Sequence, residues 1–312
     1  MVELRWGAAT HPGMIREQNE DDYVAEGHVF AVADGMGGHQ AGEIASELAA
    51  RTIRERLASG ASSVDVVIAA VIEANATIFQ TAHGNASQRG MGTTLTAIAI
   101  LDGDGDGDVD PTDVDDPNDP NDPPTFDDPP DGGVNGIDPA LHPDRMSAGP
   151  MSGEDRIALV NVGDSRGYLY RDGTLRRITI DHNYVSELVA TGHITEAEAR
   201  THPRRNIVTR ALGIEPNVRV DSWELPLSTG DRFVLCSDGL VDEVEDVDIA
   251  AIVGRIDDPQ QVAEELVTIA NRNGGRDNTT VVVLDILRAR SLPAAAAPLP
   301  DPDDATTVDS AE

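Results

Sequence analysis

A long break in the hydrophobic pattern divides this chain in two. Residues 102–155, which open DGDGDGDVDPTDVDDPNDP, are rich in Asp, Pro and Gly and have almost no apolar periodicity. They hold 17 acidic residues and one Arg. Such a composition buries too little apolar surface to offset the entropy of ordering it. Patterned sequence lies on both sides, over residues 1–101 and 156–288, so the fold must be assembled from two separated pieces. Thr93–Leu101 and Arg156–Val162 both read as strands. The simplest arrangement makes them hairpin partners, with the acidic stretch an excursion at the tip. Loop closure permits this, because each doubling of length costs only about 0.6 kcal/mol. The expected organisation is one domain over 1–288 interrupted by the 102–155 insert, then a disordered acidic Pro/Ala-rich tail over 289–312.

The patterned pieces mix the two periodicities. HVFAVAD, His28–Asp34, is a buried strand ending at a Gly-rich turn. Gln40–Leu57 and Ser63–Thr81 read as helices, the second with Val67, Ile68, Val71, Ile72 and Ile78 on one face. After the break, Arg156–Ile178 reads as strand, turn, strand, turn, strand, with Asp172-Gly173 as a hairpin signal. Asn183–Thr191 and Thr195–Thr201 suit short helices. Val218–Leu225 and Arg232–Cys236 suit strands, Asp257–Arg272 a helix and Thr279–Leu287 a last strand. Aromatics make up only 3% of the 312 residues, so Ala, Val, Ile and Leu must build the core.

Charge excludes some partners. The net charge is -33, every basic side chain is Arg, and the two segments 102–155 and 291–312 carry most of the excess. That field repels nucleic acid and anionic membrane. The Lys-free, acidic composition fits a salt-adapted or a GC-rich host equally. A single cysteine, Cys236, excludes an internal disulfide framework. MVELRWGAAT lacks the apolar core of a signal peptide, and no run of about 18 apolar residues stands out as a membrane span. A cytoplasmic monomer is the expectation.

Four Asp residues stand beside strand ends: Asp34 in VADGMGG, Asp164 in NVGDSRG, Asp238 in LCSDGL and Asp277 in GGRDNTTVVV. A strand is a rigid support for a carboxylate, and an adjoining Gly allows close backbone approach. Any one such Asp is most simply a turn or a cap. Several converging carboxylates need protons or cations, and hard oxygen ligands suit Mg²⁺ or Mn²⁺.

In order along the chain come GMIREQNEDDY, FAVADGMGGHQAGEIAS, GMGTTLTA, VNVGDSRGYLYRDG, DHN, HPRRNIVTRALG, LCSDGL and RDNTTVVV. This series, from Met1 to Leu287 without the insert, resembles the metal-dependent protein phosphatases (PPM, or type 2C Ser/Thr phosphatases) in their bacterial form. The resemblance implies an α+β fold, a four-layer α-β-β-α sandwich of two antiparallel sheets flanked by helices, with a dinuclear metal centre at one end. It implies that Asp34 bridges two Mn²⁺ or Mg²⁺ ions and that the Gly35 carbonyl and Glu20 serve the second. Asp238 and Asp277 would complete the first ion's shell. Asp164, with Asp238, would hold a third, weaker ion, to which the Asn206 carbonyl adds a contact. Arg16 would grip the substrate phosphate with its planar fork of donors. A metal-activated water would then hydrolyse phosphoserine or phosphothreonine, with no protein nucleophile.

The resemblance also implies phosphorylated protein partners, among them Ser/Thr kinases and their substrates. Where many eukaryotic relatives have a His after the first Asp-Gly, this chain has Met36. The candidates for general acid are then His39, His182 or a metal-bound water, and for each histidine a hydrogen-bonding or structural role is the simpler reading. Cys236 lacks the following Arg of a cysteine phosphatase and reads as core. Tyr184–Leu212 matches the family's variable flap, where Arg204 and Arg205 could meet acidic or phosphorylated substrates or form a solvated charge pair.

The acidic stretch offers its own candidate. Asp102, Asp104, Asp106, Asp110 and Asp113 occupy relative positions 1, 3, 5, 9 and 12, with Gly107 at 6, as in a calcium loop. Prolines follow where a helix should. A solvated acidic loop or a weak Ca²⁺ or Mg²⁺ site both fit. A catalytically silent or calcium-responsive regulatory module on the same fold is the alternative to a phosphatase.

Overall fold

The apolar runs form strands whose two faces carry side chains of different size. The computed structural model describes residues 2–37, 41–85, 88–101, 154–290 and 306–309. In β3 (Val29–Met36), Phe30 and Val32 face one way and Val29, Ala31 and Ala33 the other. β5 (Leu95–Leu101) repeats this with Ile98 and Ile100 opposed to Leu95, Ala97 and Ala99. β6 (Arg156–Val162) does so with Ile157 and Leu159 opposed to Ala158 and Val160. This is the two-residue period of a strand buried on both faces. The bulky sides meet Leu169, Phe233, Leu235, Val282, Leu284 and Ile286 of a second sheet. The Ala-rich sides admit α1 (Ala41–Leu57) and α2 (Val64–Gly84) at close range.

One sheet runs β1 (Glu3–His11), β11 (Thr279–Arg288), β10 (Arg232–Cys236), β7 (Arg166–Arg171), β8 (Thr174–Arg177). The other runs β12 (Thr306–Asp309), β9 (Arg219–Pro226), β6, β5, β3, β2 (Asp21–Glu26), and β4 (Gly92–Thr93) also pairs with β3. Every pairing is antiparallel. α6 (Asp246–Arg255) and α7 (Pro259–Asn273) cover the first sheet through Ile249, Ile252, Val262 and Leu266. The result is the expected α-β-β-α sandwich. Three short helices, α3 (Tyr184–Ala190), α4 (Glu196–Arg200) and α5 (Asp238–Val241), lie in the connections.

The hairpin reading across the acidic stretch holds: β5 pairs with β6, with Leu101 opposite Arg156. Asp172 and Gly173, at φ 51° and 79°, make the left-handed turn between β7 and β8. The domain boundaries need two corrections. Asp155 is buried and belongs to the fold. Its N–H donates to the Arg290 carbonyl at 2.9 Å, and its carboxylate accepts from the Arg290 N–H and guanidinium. Within the tail, where disorder is expected, Thr306–Asp309 adds a β-branched strand to the edge of β9.

Among the described residues one helix, α2, is long and apolar enough by length and composition to cross a membrane, which the sequence reading missed. Its Val67, Val71, Ala74 and Ile78 are fully buried against the sheet and α1, so this is a core helix. β1, β2 and α6 also went unread. β1 has only one buried residue, Gly7, in its nine, so its pattern is faint.

A buried guanidinium closes the far side. Arg232 on β10 uses all five N–H groups: two on Asp285, and three on the carbonyls of Val253, Ile256 and Asp257 at the end of α6. Arg5 shares Asp285 and the Asp257 carbonyl. Arg232→Ala should lower the unfolding free energy by about 3 kcal/mol, because it removes two of the donors to a buried carboxylate and the guanidinium donors to the Val253 and Ile256 carbonyls. Urea unfolding checks this; a loss within error of zero would show that Arg5 suffices.

Candidate metal centre

Five of the strand ends and turns that carry acidic residues meet at one end of the sandwich. Asp34 lies near the end of β3, directly opposite Asp21 at the start of β2. Asp164 occupies the β6–β7 turn, Asp238 follows β10 and Asp277 precedes β11. Asp21 joins the two sheets, accepting from Ser237 Oγ at 2.8 Å and Thr280 Oγ1 at 2.7 Å. On the other side, Thr94 Oγ1 accepts from the Asp34 N–H and lies 2.7 Å from Ser165 Oγ, tying the Asp34 and Asp164 loops together.

The glycines after Asp34 and Asp238 serve close approach rather than a left-handed backbone. A Cβ on Gly35 would collide with the carbonyl oxygens of Gly42 and Glu20. A Cβ on Gly239 would collide with that of Asn278. These are the contacts that bring the Glu20 strand, α1 and the Asp277 turn against the two Asp-Gly corners.

The carboxylates are too close to remain bare anions. Burial, then repulsion from Asp21, Asp238, Asp164 and Asp277, pushes Asp34 well above the usual range. Burial, then Asp164, Asp242 and Asp277, does the same to Asp238. Burial, reinforced by Asp181, raises Asp164 to about 6. Burial also raises Asp21 to about 6, against the two hydroxyl bonds that favour its anion. Glu20 Oε1 and Asp21 Oδ1 are buried without a hydrogen-bond partner. Among the described residues, no three Asp, Glu, His or Cys side chains are disposed to hold an ion as they stand. One reason is visible: Asp277 Oδ2 is held by Arg16 Nη2 at 2.7 Å. Orphaned hard oxygens and mutually raised carboxylates nevertheless fit a divalent cation bound by Glu20, Asp34, Asp238, Asp277 and the Gly35 carbonyl.

Arg16 stands half-exposed at the rim. Its loop is held by Asn278, whose Nδ2 donates to the carbonyls of Pro12 and Gln18 and whose Oδ1 accepts from the Glu20 N–H. Arg16 and Asp277 open onto a pocket of about 230 Å³, also lined by Arg205, Asn206, Asp242 and Arg276. Asn206 is thus brought to the site's edge, where its side chain reaches Asp242 at 3.4 Å. Arg205 pairs with the same Asp242, and Arg204 lies over the Tyr184 ring. The flap arginines are therefore anchored rather than simply solvated.

His182 is not placed to protonate a leaving group. It is buried; its Nδ1 accepts from the Gly163 N–H at 3.0 Å and its Nε2 lies 3.0 Å from Asp221 Oδ2. It positions the Gly163–Asp164 turn instead. Asp221, despite burial, is lowered to about 2 by His182 and Arg210. Cys236 is fully buried and its thiol is pushed up to about 12, first by burial, which confirms it as core. His39 and the calcium-loop candidates Asp102, Asp104, Asp106, Asp110 and Asp113 lie outside the described residues.

Sequence reasoning missed Asp21, Thr94, Asn278 and Asp242. Asp21 adjoins Glu20, and Asn278 adjoins Asp277 within motifs already marked. Asp242 lies one helical turn beyond Asp238, a spacing that would have flagged it.

Comparison with known proteins agrees with this geometry. Residues 15–107 match the family described as protein phosphatase 2C, and residues 154–287 match that described as stage II sporulation protein E. The serine/threonine phosphatase stp of Listeria welshimeri is 33% identical over 291 residues, 88% of this chain and 93% of that protein. The serine/threonine protein phosphatase PstP of Mycobacterium tuberculosis is 35% identical over 289 residues, 91% of this chain. The chain spans only 45% of the length of PstP. The crystal structure of M. tuberculosis PstP/Ppp superposes with a TM-score of 0.72 at 34% identity, covering 92% of this chain and 100% of that one. The PstP catalytic domain in complex with two manganese ions gives 0.70 and 33%, with the same coverage.

The raised carboxylates set a pH dependence. Asp21 and Asp164 bind protons more readily in the folded protein, so the stability they contribute is full below 3.8 and lost as pH rises through about 6. Asp221 acts in the opposite sense, but only as pH falls toward about 2. In EDTA the melting temperature should therefore fall between pH 3.8 and about 6, and saturating Mn²⁺ should flatten that slope. A melting temperature indifferent to both would contradict the site.

Proposed function

Because the chain belongs to the PPM family of metal-dependent protein phosphatases, we propose that it hydrolyses phosphoserine and phosphothreonine in proteins. The observation that carries this is the set of mutually raised carboxylates at one end of the sandwich, with Arg16 at its rim. Two divalent cations, Mn²⁺ or Mg²⁺, would supply Lewis-acid charge and activate water for attack at phosphorus. Every other part is the chain's own. Glu20, Asp34, Asp238 and Asp277 provide the anionic cradle. Asp21 and Thr94 hold that cradle by joining the two sheets and the Asp164 loop. Arg16 binds the phosphoryl oxygens, and Asn278 fixes the loop that presents it. A buried, protonated Cys236 takes no part.

The reading extends to partners. A phosphatase of this type acting as a monomer in the cytoplasm would oppose Ser/Thr kinases and act on their substrates. The acidic surface supports a protein rather than a nucleic-acid or membrane partner.

The test is hydrolysis of a phosphothreonine peptide and of p-nitrophenyl phosphate with Mn²⁺, Mg²⁺ or EDTA. Metal-dependent turnover should fall to background in Asp34→Asn and Asp238→Asn. Arg16→Ala should lose roughly tenfold to a hundredfold in kcat/KM, as expected for a hydrogen bond to a charged group. Phosphopeptide binding without turnover in the wild type would favour a silent binding module.

A further inference from the structure

The C-terminal segment supplies a strand whose contacts lead toward the metal centre. β12 pairs with the first half of β9, with Thr306 opposite Ser222, Thr307 opposite Asp221 and Val308 opposite Val220. Ser222 Oγ donates to the Thr306 carbonyl at 3.1 Å, and Val308 packs against the core beneath α1 and α2. Thr307 Oγ1 donates to Asp221 Oδ1 at 3.1 Å.

Asp221 is a hub. Its Oδ1 also accepts from Arg210 Nη1 at 2.6 Å, and its Oδ2 meets His182 Nε2. His182 holds the Gly163 N–H through Nδ1, and its own N–H donates to the Gly163 carbonyl at 2.9 Å. Asp164 is the next residue. Arg210 lies near the end of the flap segment, where the Thr209 N–H donates to the His182 carbonyl at 2.8 Å. One carboxylate therefore gathers the tail, the end of the flap and the Asp164 turn. Gly163, Asp164, His182 and Arg210 are buried or half-buried, whereas Thr209 and the tail's threonines are exposed.

We propose that the outer edge of β9 is a strand-docking site for this chain's own segment Thr306–Asp309, and that the docked strand steadies the Asp164 turn through Asp221 and His182. A four-residue strand on a sheet edge opens easily compared with the core, so docking is reversible. When the strand leaves, Asp221 loses one of its three side-chain donors and the edge of β9 is open to solvent. The fold survives, because β9 keeps β6 on its other side. The role given to Asp164 rests on the proposed metal centre; the docking itself does not.

The experiment compares the full chain with Thr307→Glu, which sets a carboxylate against Asp221, and with Thr307→Ser, which keeps the hydroxyl. Amide exchange is followed over residues 219–222 and 163–182, and Mn²⁺ binding by calorimetry. Thr307→Glu should speed exchange in both segments by about tenfold and weaken Mn²⁺ binding by about fivefold. Its melting temperature should stay near that of the wild type. Thr307→Ser should behave as wild type, and a free peptide of residues 306–310 should restore protection to Thr307→Glu. Unchanged exchange over 219–222 would overturn the docking. Faster exchange there with 163–182 and Mn²⁺ binding unaffected would overturn the coupling. No Mn²⁺ binding by any of the proteins would overturn the metal centre, while the exchange pattern would still decide the docking.

Discussion

Repulsion among Asp21, Asp34, Asp164, Asp238 and Asp277 is the constraint around which the rest of the molecule is arranged. Like charges gathered where burial strips their hydration disfavour folding, and only protons or cations relieve them. The sandwich holds them together because each is attached to a strand end that the core fixes from three sides. The inter-sheet layer of Phe30, Ile98, Leu159, Phe233 and Leu284 aligns the two sheets, and so aligns their ends. The hydroxyls of Ser237, Thr280, Thr94 and Ser165 then fix the register locally. Stability lies in the apolar layers and is given up at the site, where hydrogen bonding holds a strained charge distribution in place.

How much of this was legible depends on whether a feature is local. Asp34 and Asp238 could be read because each ends a strong apolar strand at a Gly, and the expected meeting of those ends is what the structure shows. The hairpin across residues 102–155 could be read because β5 and β6 both have clear patterns. β1 could not, since it buries little on either face. Asn278 and Thr94 were invisible for a different reason. Their work is to bond carbonyls, amides and hydroxyls far away in sequence, 260 residues from Asn278 to Gln18, and no periodicity records such a pairing. Gly35 was marked for the right reason in general terms, but only the structure shows that Gly42 and Glu20 are what a side chain would strike.

His182 shows how a residue with two open readings, proton donor or structural support, is decided only by the fold. Its sequence neighbourhood suggested a proton donor. In the fold, both ring nitrogens are committed, one to a backbone N–H and the other to Asp221, which fixes the tautomer as well as the orientation. A histidine held this way transmits position rather than protons. The same carboxylate partner reaches the flap through Arg210 and the tail through Thr307, so three segments that look independent in sequence share one buried anion.

Arg16 and Asp277 raise the remaining question of how a site this acidic accepts a phosphate. The ion pair between them occupies a guanidinium at the rim and one of the site's own carboxylates together. In the proposed phosphatase, Asp277 would be one of the residues that hold a cation, and its pairing with Arg16 would then give way, leaving the guanidinium open to a phosphoryl group. Filling the cradle and preparing the proposed phosphate-binding residue would then be a single exchange of partners. With a net charge of -33 against an anionic substrate, the long-range field opposes encounter. In the proposed phosphatase, short-range contacts at Arg16, Arg205 and Arg276 would have to supply the attraction, and for Arg16 that would depend on prior occupation of the carboxylate cluster.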